Sequence, residues 1–313
     1  MNSLLQKNYN IDTVSVEQIQ GGWSALAYIV TTTDGHKYLL KVYERSRAST
    51  SALTASIEEY MPIVEWLNSN TSLRAKILKP LKTLQNSFKC EDDKNIYLLS
   101  SYIEGENLIG KELSNNQVKD LAQIIAELHS HREDIPLDLS SLKEDFSIEF
   151  TNQIREHLES TSKLEPALQE LLELYKKDIY TSIQAIEELS IKLSYSNIKM
   201  CLCHTDIHEG NILVNNKGLI LIDWEGLKLA PPEADFFDIV QREWSERFFN
   251  EYERKHPNFK IDLETLKFYQ LRRTLVDIWE FIEQIQYDEQ SEEGLQLSLS
   301  YLEKECQSLC NYL

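Results

Sequence analysis

The chain has 313 residues, 42% of them hydrophobic and 27% charged, and its 51 Asp and Glu against 32 Lys and Arg give a formal net charge of −19. That composition is globular rather than disordered, and the length suits about two cored units. The acidity excludes nucleic acid, whose binding needs Lys and Arg to neutralise phosphates, and no apolar run reaches the ~18 residues of a membrane helix.

Residues 1–10 lack the apolar stretch of a signal peptide, so a cytoplasmic protein outside the membrane is expected. Residues 1–101 carry 11 Lys/Arg and 10 Asp/Glu, whereas 102–313 carry 21 and 41, a net of −20. Such asymmetry suits a cationic ligand on the larger part, and it equally describes solvated acidic helix faces. Five cysteines, an odd number, argue against a disulfide framework. Cys201-x-Cys203-His204 resembles a metal cluster only superficially, because no second pair with zinc spacing follows; buried strand thiols are expected.

The first hundred residues read mainly as strands. One strand around Val14, Val16 and Ile19 leads to Gly21-Gly22, and a second covers 25–32. Asp34-Gly35 turns the chain into a third strand over 37–43. A helix over 51–68 contains Pro62, which should kink or split it. Two further strands are expected over 78–84 and 96–101. Beyond Gly105 the pattern becomes helical. Ser114 is the expected N-cap of a helix whose Val118, Leu121, Ile124, Ile125 and Leu128 form one apolar stripe. Residues 146–189 are helical with an interruption near Pro166, and helices return over 264–286 and 292–311. A short β-rich island covers 200–203, 212–214 and 219–222, with a turn at Asn215-Asn216-Lys217-Gly218.

That island carries the most informative pattern, His204-Thr205-Asp206-Ile207-His208-Glu209-Gly210-Asn211, followed after the hairpin by Leu221-Ile222-Asp223-Trp224-Glu225. Phosphoryl transfer explains the spacing. One carboxylate, Asp206, meets the attacking hydroxyl, an amide five residues on, Asn211, reaches Mg²⁺, and a second carboxylate, Asp223, completes the metal site. Lys41 lies in the apolar strand Tyr38-Leu-Leu-Lys-Val-Tyr43, where alternation sets it on one face with Leu39 and Tyr43. It is either a phosphate-binding lysine or a snorkelling edge lysine, and the downstream motif favours the first. A carboxylate of the following helix should orient it; of Glu58 and Glu59, Glu58 is the expected partner. Gly21-Gly22 can let backbone approach phosphates. His208 reads as a loop-packing histidine.

These motifs resemble the aminoglycoside phosphotransferase family across nearly the whole chain: Gly21-Gly22, Lys41, the segment Leu99–Gly105, the catalytic loop and Asp223. The run Cys201–Asn211, with Ile222-Asp-Trp-Glu and Leu229-Ala-Pro, is most similar to members that act on the aminocyclitol spectinomycin. The resemblance implies an α+β, two-lobed, protein-kinase-like fold. A small β-rich nucleotide-binding lobe would cover 1–101, a hinge 102–106, and a larger, mostly helical catalytic and substrate-binding lobe 107–313. It implies ATP and Mg²⁺ as cofactors and a small, cationic acceptor carrying a hydroxyl. Backbone groups of Tyr102 and Ile103 would bind adenine, and His204 and Asp235 would brace the catalytic loop. Glu225 and Asp238 are candidate acceptor contacts, whereas Asp277 also reads as an ion-pair partner of Arg273. Only seven residues separate Glu225 from Glu233, too few for a segment that displays a protein substrate. The phosphate loop lacks a G-x-G-x-x-G run, and Asp-Trp-Glu stands where protein kinases have Asp-Phe-Gly. A monomer or weak dimer is expected. Competing readings are a choline, homoserine or methylthio-sugar kinase, and a nucleotide-binding regulatory protein without catalysis.

Overall fold

A computed structural model describes residues 1–19, 25–47, 49–160 and 164–312, so the Gly21-Gly22 pair lies outside the described residues. The chain gathers into two compact units, Met1–Lys143 with Met200–Phe259, and Glu144–Lys199 with Lys260–Leu313. The segment 102–106 falls within the first unit.

The first unit opens with helix α1 (Asn2–Tyr9), then strands β1 (Thr13–Ile19), β2 (Leu26–Thr32) and β3 (Lys37–Glu44), helices α2 (Thr50–Ala55) and α3 (Ile57–Asn70), and strands β4 (Lys89–Glu91) and β5 (Asn95–Ser101). The strands form one antiparallel sheet in the order β1-β2-β3-β5-β4. Val30, Leu40, Val42 and Leu99 point to one face and pack with Leu5 and Tyr9 of α1. The alternation that buries Leu40 and Val42 there sends Lys41 and Tyr43 to the opposite face. Next come β6 (Glu106–Asn107) and α4 (Asn115–Leu128). Ser114 caps α4 in a full capping box with Gln117, and the expected stripe is buried.

After Lys143 the first unit resumes at Met200 with β7 (Cys201–Cys203), β8 (Ile212–Asn215), β9 (Gly218–Leu221), β10 (Lys228–Ala230) and α7 (Ser245–Tyr252). β8 and β9 form the expected hairpin, with Ile212 opposite Leu221, and β6 pairs with β8. β10 pairs with β7. Gly105 lets the segment entering β6 approach β8, since a Cβ there would stand 3.1 Å from the Val214 carbonyl oxygen.

The second unit consists of α5 (Phe150–Glu159), α6 (Pro166–Ser194), α8 (Leu263–Tyr287) and α9 (Glu292–Ser308). Its core is apolar, with Ile154, Leu172, Ile183, Leu275, Ile282 and Leu302 fully buried. Arg155 pairs with Glu187 and Arg272 with Glu144. Among the described residues, no helix is long and apolar enough to cross a membrane.

Two local expectations need correction, and one helix was not foreseen. Residues 78–84 form no strand: a single bridge joins Pro80 to Ser100, flanked by bonds from Leu81 N–H and Ser101 N–H, because Pro80 has no N–H to extend the ladder. The break in the 51–68 helix falls at Ser56 rather than Pro62. Pro62 remains inside α3, whose buried face of Ile57, Tyr60, Met61, Val64 and Leu67 outweighs the lost hydrogen bond. Helix α1, too short for a clear period, carries only Leu5 and Tyr9 as its buried pair.

Candidate active site

β7 delivers the chain into the loop 204–211, and the loop is fixed mainly through its backbone. Asp235 accepts from the N–H groups of His204 (3.1 Å) and Thr205 (2.6 Å), so one buried carboxylate pins two consecutive peptides. His204, fully buried, donates from Nε2 to the Ile222 carbonyl (2.8 Å) and accepts at Nδ1 from the Asp206 N–H (3.3 Å). Its ring also stands edge-on to Trp224 at 4.8 Å. Asp235 and the His204 ring thus both bind backbone groups of the loop.

The brace carries strain. Thr205 has φ +65° and Asp223 φ +63°, left-handed conformations that cost an L-residue about 1–2 kcal/mol. The Thr205 hydroxyl donates to the Gly226 carbonyl (2.7 Å), which helps hold the unfavourable backbone. Gly226 is obligatory at that approach. A Cβ would collide with the Thr205 hydroxyl and stand 2.9 Å from the His204 carbonyl oxygen.

Within this frame Asn211 joins Asp206 to the segment that leads into Asp223. The Asn211 amide nitrogen donates to the Asp206 carboxylate (2.7 Å) and to its carbonyl (2.9 Å). The Asn211 carbonyl accepts from Ile222 N–H (3.0 Å), which joins the loop to the residue before Asp223. With its nitrogen engaged, Asn211 keeps its side-chain oxygen as an acceptor, and Asp223 offers a carboxylate. Such hard oxygen donors suit Mg²⁺. His208 accepts from Gly210 N–H through Nδ1 and lies 3.6 Å from Asp206 through Nε2, so it packs the loop and also borders the carboxylate.

Lys41 lies 2.7 Å from Asp223 and 2.6 Å from Glu225. Tyr43 donates its hydroxyl to the same Glu225 oxygen. Burial opposes the Lys41 charge, but the two carboxylates outweigh it and raise the ammonium pKa. Burial likewise opposes ionisation of Glu225, and Lys41 outweighs it, holding the carboxyl below its ordinary range. Tyr43 is raised by burial and by the Glu225 charge.

Two assignments change. Glu58 does not reach Lys41. It accepts from the Ser87 hydroxyl and from the N–H groups of Phe88 (2.9 Å) and Lys89 (3.3 Å), tying α3 to the start of β4. Glu225, a candidate acceptor contact in the sequence, is turned onto Lys41 and Tyr43. Asp238 pairs with Arg242, which also binds Glu209, so its charge is shared. Asp277 pairs with Arg273 at 2.8 Å, the simpler of its two readings. The Tyr102 N–H donates to the Lys37 carbonyl (3.3 Å), which leaves the Tyr102 carbonyl and the Ile103 peptide as the groups that could face adenine.

The cysteine cluster has a different histidine from the one its spacing suggests. Cys201 and Cys203 are buried free thiols 3.6 Å apart, and the imidazole beside them is His129. Both nitrogens of His129 are engaged, Nε2 with Asp235 (2.9 Å) and Nδ1 with the Tyr252 hydroxyl (2.8 Å), so this ring serves Asp235. Thr205, Gly226, Tyr43 and His129 escaped the sequence reading. Tyr43 was visible on the Lys41 face, whereas nothing local marks His129.

Residues 15–269 match the family model described as "Phosphotransferase enzyme family". No curated protein sequence matches the chain. Among solved structures, spectinomycin phosphotransferase APH(9)-Ia with ADP and spectinomycin is similar over 100% of this chain and 98% of its own, at 21% identity and a TM-score of 0.71. Amicoumacin kinase hAmiN with AMP-PNP and Ca²⁺ gives 14% identity and a TM-score of 0.66 over 99% of this chain and 92% of its own. A microcompartment-associated aminopropanol kinase gives 14% and 0.64 over 95% and 92%. These likenesses establish a kinase-like fold, and with the family match covering the sheet, the catalytic loop and Asp223, the chain belongs to the phosphotransferase enzyme family, as a kinase with a hydroxyl acceptor.

Proposed function

We propose that the protein transfers the γ-phosphoryl group of Mg-ATP to a hydroxyl of a small cationic acceptor, an aminoglycoside or an aminocyclitol such as spectinomycin. The observation that carries this reading is the junction of Asp206 with Asn211, joined through Ile222 to Asp223 and Lys41. In it Asp206 orients the acceptor hydroxyl and takes its proton, while the freed oxygen bonds to the γ-phosphorus and ADP departs. Lys41 offsets phosphate charge. Asn211 and Asp223 would hold Mg²⁺, which when bound neutralises the charge developing on the phosphates. Because the transition state is loose, the rate comes chiefly from positioning and charge stabilisation. Residues 1–101 then serve the nucleotide, 102–106 act as hinge, and 107–313 serve catalysis and the acceptor, in the cytoplasm.

The acidity of 102–313 and the spectinomycin-like motif run support a cationic antibiotic as acceptor. A choline cage has less support. Phe236, Phe248 and Tyr252 are buried in edge-to-face and stacked contacts, and Tyr252 serves His129. The test is an ADP-release screen with spectinomycin, other aminoglycosides, choline, homoserine and small amino alcohols. Turnover with spectinomycin or an aminoglycoside is expected. Turnover confined to a metabolite would replace the antibiotic reading, and ATP binding without turnover of any acceptor would favour a regulatory protein.

A further inference from the structure

The face that α3 turns inward offers no acid. Glu58 and Glu59 are both exposed, whereas Tyr60 is fully buried, and its hydroxyl has no hydrogen-bond partner among the described residues. Burial and the negative charges of Glu225 and Asp223 raise the pKa of that phenol, and the Lys41 charge opposes them. Lys41 is held instead from the segment following Asp223. Glu225 approaches its ammonium at 2.6 Å, and Tyr43, two residues along the same strand face as Lys41, donates to the same carboxylate oxygen. Asp223 also pairs with Lys41, but Asp223 is the proposed metal ligand. Of the two carboxylates, Glu225 is the one with no second duty.

We infer that Glu225 is the positioning residue of Lys41, with Tyr43 fixing its carboxylate, and that α3 contributes the wall of Tyr60 in place of a charge. The inference rests on the reading of Lys41 as the phosphate-binding lysine. Its physical content is preorganisation. A lysine stem has many rotamers, and a buried carboxylate that is itself hydrogen-bonded selects one of them before the nucleotide arrives.

The test compares Lys41→Ala, Glu225→Gln, Tyr43→Phe, Glu58→Gln and the double variant Lys41→Ala/Glu225→Gln. Two readouts are needed: calorimetric affinity for a non-hydrolysable ATP analogue with Mg²⁺, and kcat and KM with the acceptor found by the screen. Glu225→Gln should lower nucleotide affinity and kcat by about tenfold or more with acceptor KM unchanged. The double variant should be no worse than Lys41→Ala alone, because the carboxylate acts through the lysine. Tyr43→Phe should lose less, in the same direction, and it decides the matter by the same cycle should Glu225→Gln not fold. Multiplying losses in the double variant would make Glu225 an independent ligand and overturn the inference. A rise confined to acceptor KM, or a Glu58→Gln loss equal to that of Lys41→Ala, would overturn it as well. If Lys41→Ala is crippled and Glu225→Gln is not, the inference alone fails. If Lys41→Ala binds and turns over normally, the reading of Lys41 fails first.

Discussion

The loop 204–211 and the Lys41 cluster both join the segment 222–225, yet different forces hold them. The loop is held by hydrogen bonds that the His204 and Thr205 N–H groups donate to Asp235, and by those of the His204 ring and Thr205 hydroxyl with the carbonyls of Ile222 and Gly226. Lys41 is held by side-chain charge alone, between Asp223 and Glu225. Peptide bracing fixes a residue whatever ligand is present, and it can sustain a left-handed Thr205. An ion pair can be exchanged for phosphate oxygens of the same sign. The difference matches the proposed duties, a base that must stay still and a lysine that must change partners.

The largest effect should come from Asp206, the carboxylate that Asn211 holds. Asp206→Asn keeps an oxygen for Asn211 but removes the negative charge, so turnover should fall about 10²- to 10⁴-fold while the unfolding midpoint and ATP affinity stay near wild type. Near-normal kcat would remove Asp206 from its role.

The next largest effect belongs to the brace. Asp235→Ala leaves two peptide N–H groups and His129 without their carboxylate, and urea unfolding should show a loss of about 3–5 kcal/mol. A loss below about 1 kcal/mol would mean the loop is held redundantly, and the contrast with Lys41 would weaken.

Gly226→Ala sharpens the comparison further. The new methyl meets the Thr205 hydroxyl and the His204 carbonyl, so about 1–3 kcal/mol should be lost together with turnover. Adding Thr205→Ala should recover part of the stability by removing the hydroxyl. No recovery would place the strain elsewhere.

The smallest effect is a slope with pH. Burial would lower the His129 pKa, but Cys201, Tyr252 and Asp235 around the ring outweigh it and raise the pKa well above the ordinary value. A raised folded pKa gives stability that is full below the unfolded value near 6.5 and is lost as pH climbs towards the folded one. Wild-type stability in urea should therefore decline from pH 6 to pH 8 more steeply than that of His129→Gln. Parallel slopes would show that the ring stays neutral.

Alternation by itself determined that Lys41 and Tyr43 share a face, and spacing determined that Asn211 lies beside Asp206 and bonds to the residue before Asp223. Both are short-range properties: a strand repeats every two residues, and the eight-residue loop and hairpin leave Asn211 and Asp223 few ways apart. The capping box at Ser114 and the stripe of α4 were legible for the same reason. Only the tertiary structure decided which carboxylate meets Lys41. Glu58 and Glu225 are equally charged in the sequence, and packing of Ile57, Tyr60 and Met61 turned Glu58 to the surface while the 224–226 turn carried Glu225 inward. His129 reached Asp235 across 106 residues, a partnership that depends on where α4 packs and on no local pattern. Local periodicity is written in neighbouring residues, whereas a buried charge finds its partner only when the core closes around both.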